Sequence, residues 1–196
     1  MSIYGKGGGS ADKGGTWAKN DAVAKIGAAG ERKVAKALAP YFSSPTSAAL
    51  FHDLAVPGRR ANIDHLIVSG RKVLLLDTKV WKAGFYFTFF SRTFRWGKGK
   101  NGPRFKRLKH VDKRTYLMLR ADLEKYLAPL GARVLTPAVV VLCNSGEANV
   151  RLYKPLGARA YTLDGFIAKR VSGSHLAPPH PVVLNEIELV FRSKGR

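Results

Sequence analysis

The chain has 196 residues, 45% of them hydrophobic, and carries 34 Lys plus Arg against 13 Asp plus Glu, a formal net charge of +21. That is enough apolar chain for one good core and excludes a disordered protein, while the charge exceeds what solubility needs and points to a polyanionic partner, nucleic acid first. An anionic membrane surface ranks lower, since there is no long apolar span and no basic amphipathic terminal helix; the lone Cys143 excludes an internal disulfide framework, and with no apolar leader a cytoplasmic location is expected.

Residues 1–20 are rich in Gly, Ser and Lys and read as a flexible basic arm. A helix is expected from Asn20 or Asp21, with Ile26, Gly30, Val34 and Leu38 at a spacing of four until Pro40 stops it. Glu31 falls on the buried or half-buried side of that helix. It either lies at the flank and pairs with Lys25 or Lys36, or serves a site. Leu50 to Val56 reads as a strand, followed by a basic turn at Pro57-Gly58-Arg59-Arg60.

Asn62 to Val68 and Lys72 to Val80 are β-branched and aliphatic runs separated by a tight-turn signal, a hairpin whose register can be set. With Gly70 and Arg71 as loop residues, Val68 faces Val73 and Asp64 faces Asp77. The two carboxylates are then directly opposed, Cβ atoms about 4.5–5.5 Å apart. Side chains alternate, so Lys79 joins Asp77 on one side while Thr78 and His65 point to the other. Opposed acids are destabilising without a compensating cation. An ordinary ion pair of Lys79 with Asp64 or Asp77 on an exposed face is the competing explanation.

Phe85 to Trp96 reads as an aromatic hairpin turning at Ser91-Arg92, its Phe residues expected in the core, with Trp81 and Trp96 left open between core and base stacking. Between Arg92 and Arg120 the only acid is Asp112. A helix is expected from about Phe105 to Leu127, with Leu108, Val111, Tyr116, Leu119 and Leu123 against the core. Its basic side and the preceding loop offer Arg92, Arg95, Lys98, Lys100, Arg104, Lys106, Arg107, Lys109 and Lys113 to phosphates. The Gly-rich loop GKGKNGP lacks the Gly-Lys-Ser/Thr of a Walker A motif.

Val134 to Cys143 reads as a buried strand entered at Pro137, with Cys143 a small core residue; strands follow at Val150 to Tyr153 and Ala160 to Thr162. Asp164 is placed as the cap of a short helix reaching about Arg170. Residues 172–181 form a Pro-rich connector whose His175 and His180 read as surface residues, and Ile187 to Phe191 reads as an edge strand or an ordered tail. The organisation is an arm (1–20), an α/β domain (21–171) and a connector with a C-terminal strand or tail (172–196).

Oxygen donors select hard cations, so Asp64, Asp77 and the Thr78 carbonyl suit Mg²⁺, or Mn²⁺ in its place, better than Zn²⁺. Such an ion polarises phosphoryl oxygens and acidifies bound water, and Lys79 is placed to orient or help deprotonate that water. Glu31 could hold a metal-bound water or help bind a second ion if its helix packs on the same face.

Gly30-Glu31 in a first helix, His52-Asp53-Leu54, then N-I-D-H-L-I-V from Asn62 to Val68 and L-L-D-T-K from Leu75 to Lys79 followed by Gly84, together resemble the nuclease-related domain (NERD) family, similar in turn to the PD-(D/E)XK nucleases. The resemblance covers roughly Ile26 to Thr162. It implies an α/β restriction-endonuclease-like fold with a mixed central β-sheet flanked by helices, an active-site set of Glu31, Asp64, Asp77 and Lys79, and Mg²⁺ as cofactor. The family more often has Glu where this chain has Asp77, a shorter arm that would draw an ion closer to the strand. Many members carry Asn-Pro and a Gln before the central helix, where this chain has Asn101-Gly102-Pro103 and basic residues. The expectation is a Mg²⁺-dependent DNA endonuclease, with homodimerisation compatible with cutting both strands. The alternatives are a non-catalytic nucleic-acid-binding module on the same fold and, more weakly, a membrane-surface protein.

Overall fold

The hairpin that organises the chain has the register read from its turn. In the computed structural model, which describes residues 2–9, 21–59, 62–99, 102–109, 114–172 and 176–191, β3 (Asn62–Ser69) and β4 (Lys72–Trp81) pair antiparallel with Ser69 opposite Lys72 and Val68 opposite Val73. Gly70, at φ +56°, supplies the left-handed turn residue that closes so short a loop. On β3's other side lies β2 (Ala49–Ala55), antiparallel, and beyond it the two-residue β1 (Ile3–Tyr4), parallel.

On β4's other side run two parallel strands, β8 (Arg133–Val134) and β9 (Ala138–Cys143). The sequence suggests one continuous strand there. Pro137 has no amide to donate and falls in the interruption, so the ladder resumes only at Ala138. The short β11 (Arg159–Tyr161) completes this mixed sheet, in the order β1-β2-β3-β4-β9-β11 with β8 also on β4. A second sheet, ordered β10-β5-β6-β7, is built from β5 (Gly84–Phe89), β6 (Arg92–Gly99), β7 (Gly102–Arg107) and β10 (Ala148–Leu152).

Both faces of the main sheet are covered, which is why its central strands are apolar runs and not alternations. On one face, helix α1 (Asp21–Leu38) and the short α3 (Leu163–Phe166) bury Val34, Leu38 and Phe166 against Ile67, Leu74, Leu76 and Val140. On the other, α2 (Thr115–Leu127) and α4 (Pro181–Val190) bury Leu119, Leu123, Val183 and Ile187 against Leu66, Val68, Val73 and Leu75. Among the described residues no helix is long and apolar enough to cross a membrane.

Several expectations are corrected. Residues 2–9 are not a free arm: Ser2 and Gly8 are buried, and Tyr4 stacks on Phe51 with ring centroids 4.5 Å apart. The rest of the expected arm, 10–20, lies outside the described residues, as do Arg60, Val111 and His175. In α1 the buried side is Ala24, Ala28, Gly30, Glu31, Val34 and Leu38, and Ile26 is 42% exposed, because a 3.6-residue period drifts off a strict spacing of four. The aromatic hairpin turns at Phe90-Ser91, both with positive φ, and pairs Phe89 with Arg92. Arg104, Lys106 and Arg107 stand on β7, and the following helix begins only at Thr115. The cap before α3 is Thr162, whose hydroxyl accepts from the Gly165 N–H, and not Asp164. Ile187 to Phe191 ends a helix: Val183, Ile187 and Phe191 recur every fourth residue and are all buried, a period visible only when the window reaches back to Pro181.

α1 lies close on β4 because Gly30 offers no side chain there; a Cβ at that position would collide with Val80 Cγ2 and touch Thr78 Cγ2 and Leu142 Cδ1. Gly30→Ala is therefore expected to destabilise by about 1–3 kcal/mol through overpacking, against the roughly 1 kcal/mol that Ala gains as a helix former. Chemical denaturation measures the difference; a more stable Gly30→Ala variant would contradict this packing.

Candidate active site

The β3–β4 ladder stops at His65 and Leu76. Beyond that point β3 stays with β2 down to Asn62 opposite Ala55, while β4 continues on β9 to Trp81 opposite Cys143, so the sheet forks. In a continued ladder Thr78 would pair with Ile63. Instead the Thr78 N–H donates to Asp64 Oδ2 at 2.7 Å, and the carboxylate replaces the missing carbonyl. The Thr78 carbonyl points along the sheet in the same direction as its N–H, and so also faces the fork.

Asp77 and Lys79 share one face of β4, as alternation requires, and Lys79 Nζ donates to Asp77 Oδ1 at 2.7 Å. Asp77 Oδ2 accepts from the Tyr116 hydroxyl of α2 at 3.0 Å. Thr78 turns to the other face, where its hydroxyl lies 3.2 Å from His65 Nε2; His65 Nδ1 is in turn 2.7 Å from His52 Nδ1. Burial holds both imidazoles neutral, with His52 lowered to about 4 and His65 to about 3, so they lock β2 to β3 as a structural pair. Sequence alternation assigns His65 that packing role.

Asp53, on β2, holds φ +52° in the middle of a strand, an uncommon conformation for a residue with a side chain. Its Oδ1 accepts from Asn62 Nδ2 at 2.9 Å across the fork's second limb. Glu31 is buried on α1, which packs on the Thr78 and Val80 face. It accepts a hydrogen bond from the Gly8 backbone and interacts electrostatically with Asp53, Asp64, Asp77 and Lys79. The parted strands leave the acids within each other's field although they come from both faces.

Negative charge is in excess. Burial first, then Asp53, push Glu31 up to about 7 despite the Gly8 N–H and Lys79. Burial and the neighbouring Asp77 drive Asp64 well above the carboxylate range. Burial alone would lower Lys79, but Asp77 and Asp64 outweigh it and hold the ammonium charged. Burial also keeps the Tyr116 phenol neutral, hence a donor. Hard oxygen donors crowded around one ammonium fit a divalent cation held with water by one or two carboxylates, the usual manner for Mg²⁺. Among the described residues no group of three or more His, Cys, Asp or Glu is placed to hold a metal ion, so a cation here would rest on at most two protein carboxylates.

Asp64, Asp77, Thr78 and Lys79 line the fork as expected, but α1 packs on the Thr78 and Val80 face and not on the Asp77 and Lys79 face that the expectation for Glu31 required, so Glu31 meets the other acids through the parted strands. The expected phosphate-binding set is spread differently. Arg92, Arg95 and Lys98 are on β6, Arg104, Lys106 and Arg107 on β7, Lys109 follows, and Lys100 and Lys113 lie outside the described residues. Arg95 is committed elsewhere, its Nε and Nη2 donating to the Ala83 carbonyl at 3.0 and 2.5 Å. Sequence reasoning named Asp53 only within the His52-Asp53-Leu54 motif and Tyr116 only as a core position, and gave neither a place in the site. An acid inside ALFHDLA was the signal for the first; for the second, a buried tyrosine hydroxyl that needs a partner.

Glu31 should cost stability where it is charged. Its folded-state value of about 7 lies above the ordinary 4.5, so its stabilising contribution is complete below pH 4.5 and lost as pH rises through 7. Glu31→Gln is expected to be more stable than the parent chain at pH 8 by about 2–3 kcal/mol, the gap closing as pH falls to 4.5. Denaturant melts in the absence of divalent ions at pH 8, 6 and 4.5 check this; a less stable variant at pH 8 would contradict it.

A family model for the nuclease-related domain matches residues 26–143, over half of the chain. No curated protein matches, and no solved structure matches. The matched stretch runs from α1 to the end of β9 and contains Glu31, Asp53, Asp64, Asp77, Lys79 and Tyr116, so it covers the fork entire. The chain belongs to the nuclease-related domain family.

Proposed function

We propose that this protein is a Mg²⁺-dependent endonuclease that hydrolyses phosphodiester bonds in DNA, with Mn²⁺ as a substitute ion. The observation that carries the reading is the fork itself, where a sheet ends a ladder early and fills the gap with Asp64, Asp77 and Lys79. Burial first, and then Asp77, raise Asp64, and carboxylates perturbed in this way gather at functional sites. Asp64, Asp77 and the Thr78 carbonyl would hold the cation. When bound, it supplies polarisation of a phosphoryl oxygen and a lower pKa for coordinated water.

The chain's own groups supply the rest. Lys79, held as an ammonium by Asp77 and Asp64, is no base for the water, contrary to the expectation from sequence; beside Asp77 it would donate to a non-bridging oxygen as negative charge develops there. Tyr116 fixes the rotamer of Asp77 through Oδ2. Glu31, near neutral pH poised between protonation states, is placed to hold a water in the fork. Water oxygen bonds to phosphorus as the bond to the leaving oxygen breaks; the water gives up one proton, to ionised Glu31 or to solvent, and the leaving oxygen takes one up. Backbone phosphates are met by the basic surface: exposed Arg92, Lys98, Arg104, Lys106 and Arg107 on the second sheet, and Lys109 after it. A cleft of about 740 Å³ beside β10 adds Arg151, Lys154, Arg159 and Lys169.

A second reading, a non-catalytic DNA-binding module, is favoured by one observation: both oxygens of Asp77 already have partners, Lys79 and Tyr116. Cleavage assays separate the two. With plasmid, single-stranded and branched DNA in Mg²⁺ or Mn²⁺, Asp64→Ala, Asp77→Ala and Lys79→Ala are each expected to lose about 100-fold or more in cleavage rate, as removal of a preorganised charge-stabilising group does. Salt-dependent binding should persist in all three. Cleavage unchanged in the variants, or absent from the parent chain with either ion, leaves the binding module as the function.

A further inference from the structure

We infer that the outer face of the β5–β7 ribbon is a stacking platform for unpaired bases, so that the substrate of the fork is DNA with a single-stranded segment: a flap, an overhang or a loop. The inference rests on the nuclease reading only for the ligand being DNA. Phe87 is registered opposite Phe94, and Trp96 opposite Phe105, so alternation sets these rings on one face of three strands. Their centroids step across the ribbon, 5.5 Å from Phe87 to Phe94 and 5.0 Å from Phe94 to Phe105, with interplanar angles of 23° and 20°. Trp96 and Phe105 are 58% and 60% exposed.

These aromatics are not a core. The ribbon's apolar contacts to the body are on its other side, where Tyr86 is buried with Tyr116, Val139 and Val141. The sequence expectation that the Phe residues would be interior fails in part: Phe89 and Phe90 are exposed, Phe85, Phe87 and Phe94 are half-buried, and none of them joins a buried cluster of the described residues. Exposed rings of this kind normally mark an interaction site.

Charge selects the occupant. No Asp or Glu occurs between Gly84 and Arg107. Arg92 stands opposite Phe89 and Lys98 opposite Pro103 on the aromatic face. Rings flanked by cations match a chain of bases and phosphates, where ring–base stacking is worth about 1–3 kcal/mol per base without sequence preference. Duplex DNA would use the cations alone, because its bases are already stacked. The ribbon is near the fork along the chain: β4 leads from Lys79 through Trp81 to Gly84 of β5, about 20 Å at most when extended.

The test is binding in EDTA, where no cleavage occurs, by fluorescence anisotropy of labelled dT20 and of a 20-base-pair duplex. The parent chain is expected to bind dT20 at least about 10-fold more tightly than Trp96→Ala or Phe105→Ala does, with duplex affinity within about 2-fold across all three and intact folds by circular dichroism. Trp96→Phe should recover most of the loss, and dT20 should quench the fluorescence of the parent chain more than that of Trp96→Phe. Equal weakening toward both ligands, or no weakening, overturns the platform. So does a concentration-dependent dimer that the same variants dissociate, which would make the face a self-association surface. Cleavage unchanged in the fork variants, or absent from the parent chain, with this binding preference intact would overturn the nuclease reading and leave the platform standing.

Discussion

One hydrogen bond organises the site, that from the Thr78 amide to Asp64 Oδ2. A central strand cannot leave a buried N–H without a partner, since an unpaired one costs about 1–3 kcal/mol. By supplying the acceptor from a side chain, Asp64 lets β3 leave β4 two residues before the hydrophobic pattern would require it. The parting of the strands brings main-chain and carboxylate oxygens together beside the core. Asp77, Lys79 and Tyr116 then arrange themselves by the ordinary geometry of β4 and α2, and Glu31 reaches the same space from α1. A regular ladder of the same sequence would oppose Asp64 and Asp77 across an exposed or buried surface with no room for a ligand between them.

The acids that make the fork oppose the stability of the fold. Asp64 and Glu31 both carry raised values because burial and neighbouring acids penalise their charged forms. The chain tolerates this because well-packed elements flank the fork, although Lys79 keeps partial access to solvent. The His52–His65 pair ties β2 to β3 just behind it, Phe51, Leu66 and Leu75 fill the layer below, and the N-terminal segment closes over α1. Gly7 and Gly8 run so close to the helix that a Cβ on either would fall within 3 Å of Ala35 Cβ or the Ala28 carbonyl; at Gly9 it would meet Asp53 Oδ2. Small residues there follow from close backbone approach, not from a need for a flexible tether. Functional strain of this kind, together with the positive φ of Asp53, belongs where surrounding structure over-determines the conformation.

Local sequence made the hairpin legible because its two-residue turn and two apolar runs leave a single register that buries both. The same logic placed Lys79 with Asp77 and His65 with Thr78. It could not show that the ladder ends at His65, since a side chain that replaces a backbone acceptor leaves no mark in the pattern of apolar residues. Asp53 was read past for a related reason, its backbone conformation being set by long-range packing. Composition misled in two places: glycines at 5, 7, 8 and 9 resemble a linker but are packing residues, and a dense aromatic run resembles core although half of its side chains face water. The C-terminal helix was missed because five residues cannot distinguish periods of two and four.

The fork and the ribbon divide recognition from chemistry along one continuous strand. β4 brings Asp77 and Lys79 to the fork and then passes through Trp81, which packs on Tyr86 and Tyr153, into β5. Arg95 fixes the join by holding the Ala83 carbonyl, so the ribbon's orientation is set from the body of the protein rather than left to a hinge. Tyr116 belongs to the same aromatic cluster as Tyr86 and Tyr153 while its hydroxyl holds Asp77. A ligand pressing on the ribbon therefore acts on a rigid block that includes the carboxylate proposed to hold the metal. Rigid connection is what a positioned hydrolysis needs, because misplacement of the reacting phosphate by about 1 Å can cost 100-fold in rate.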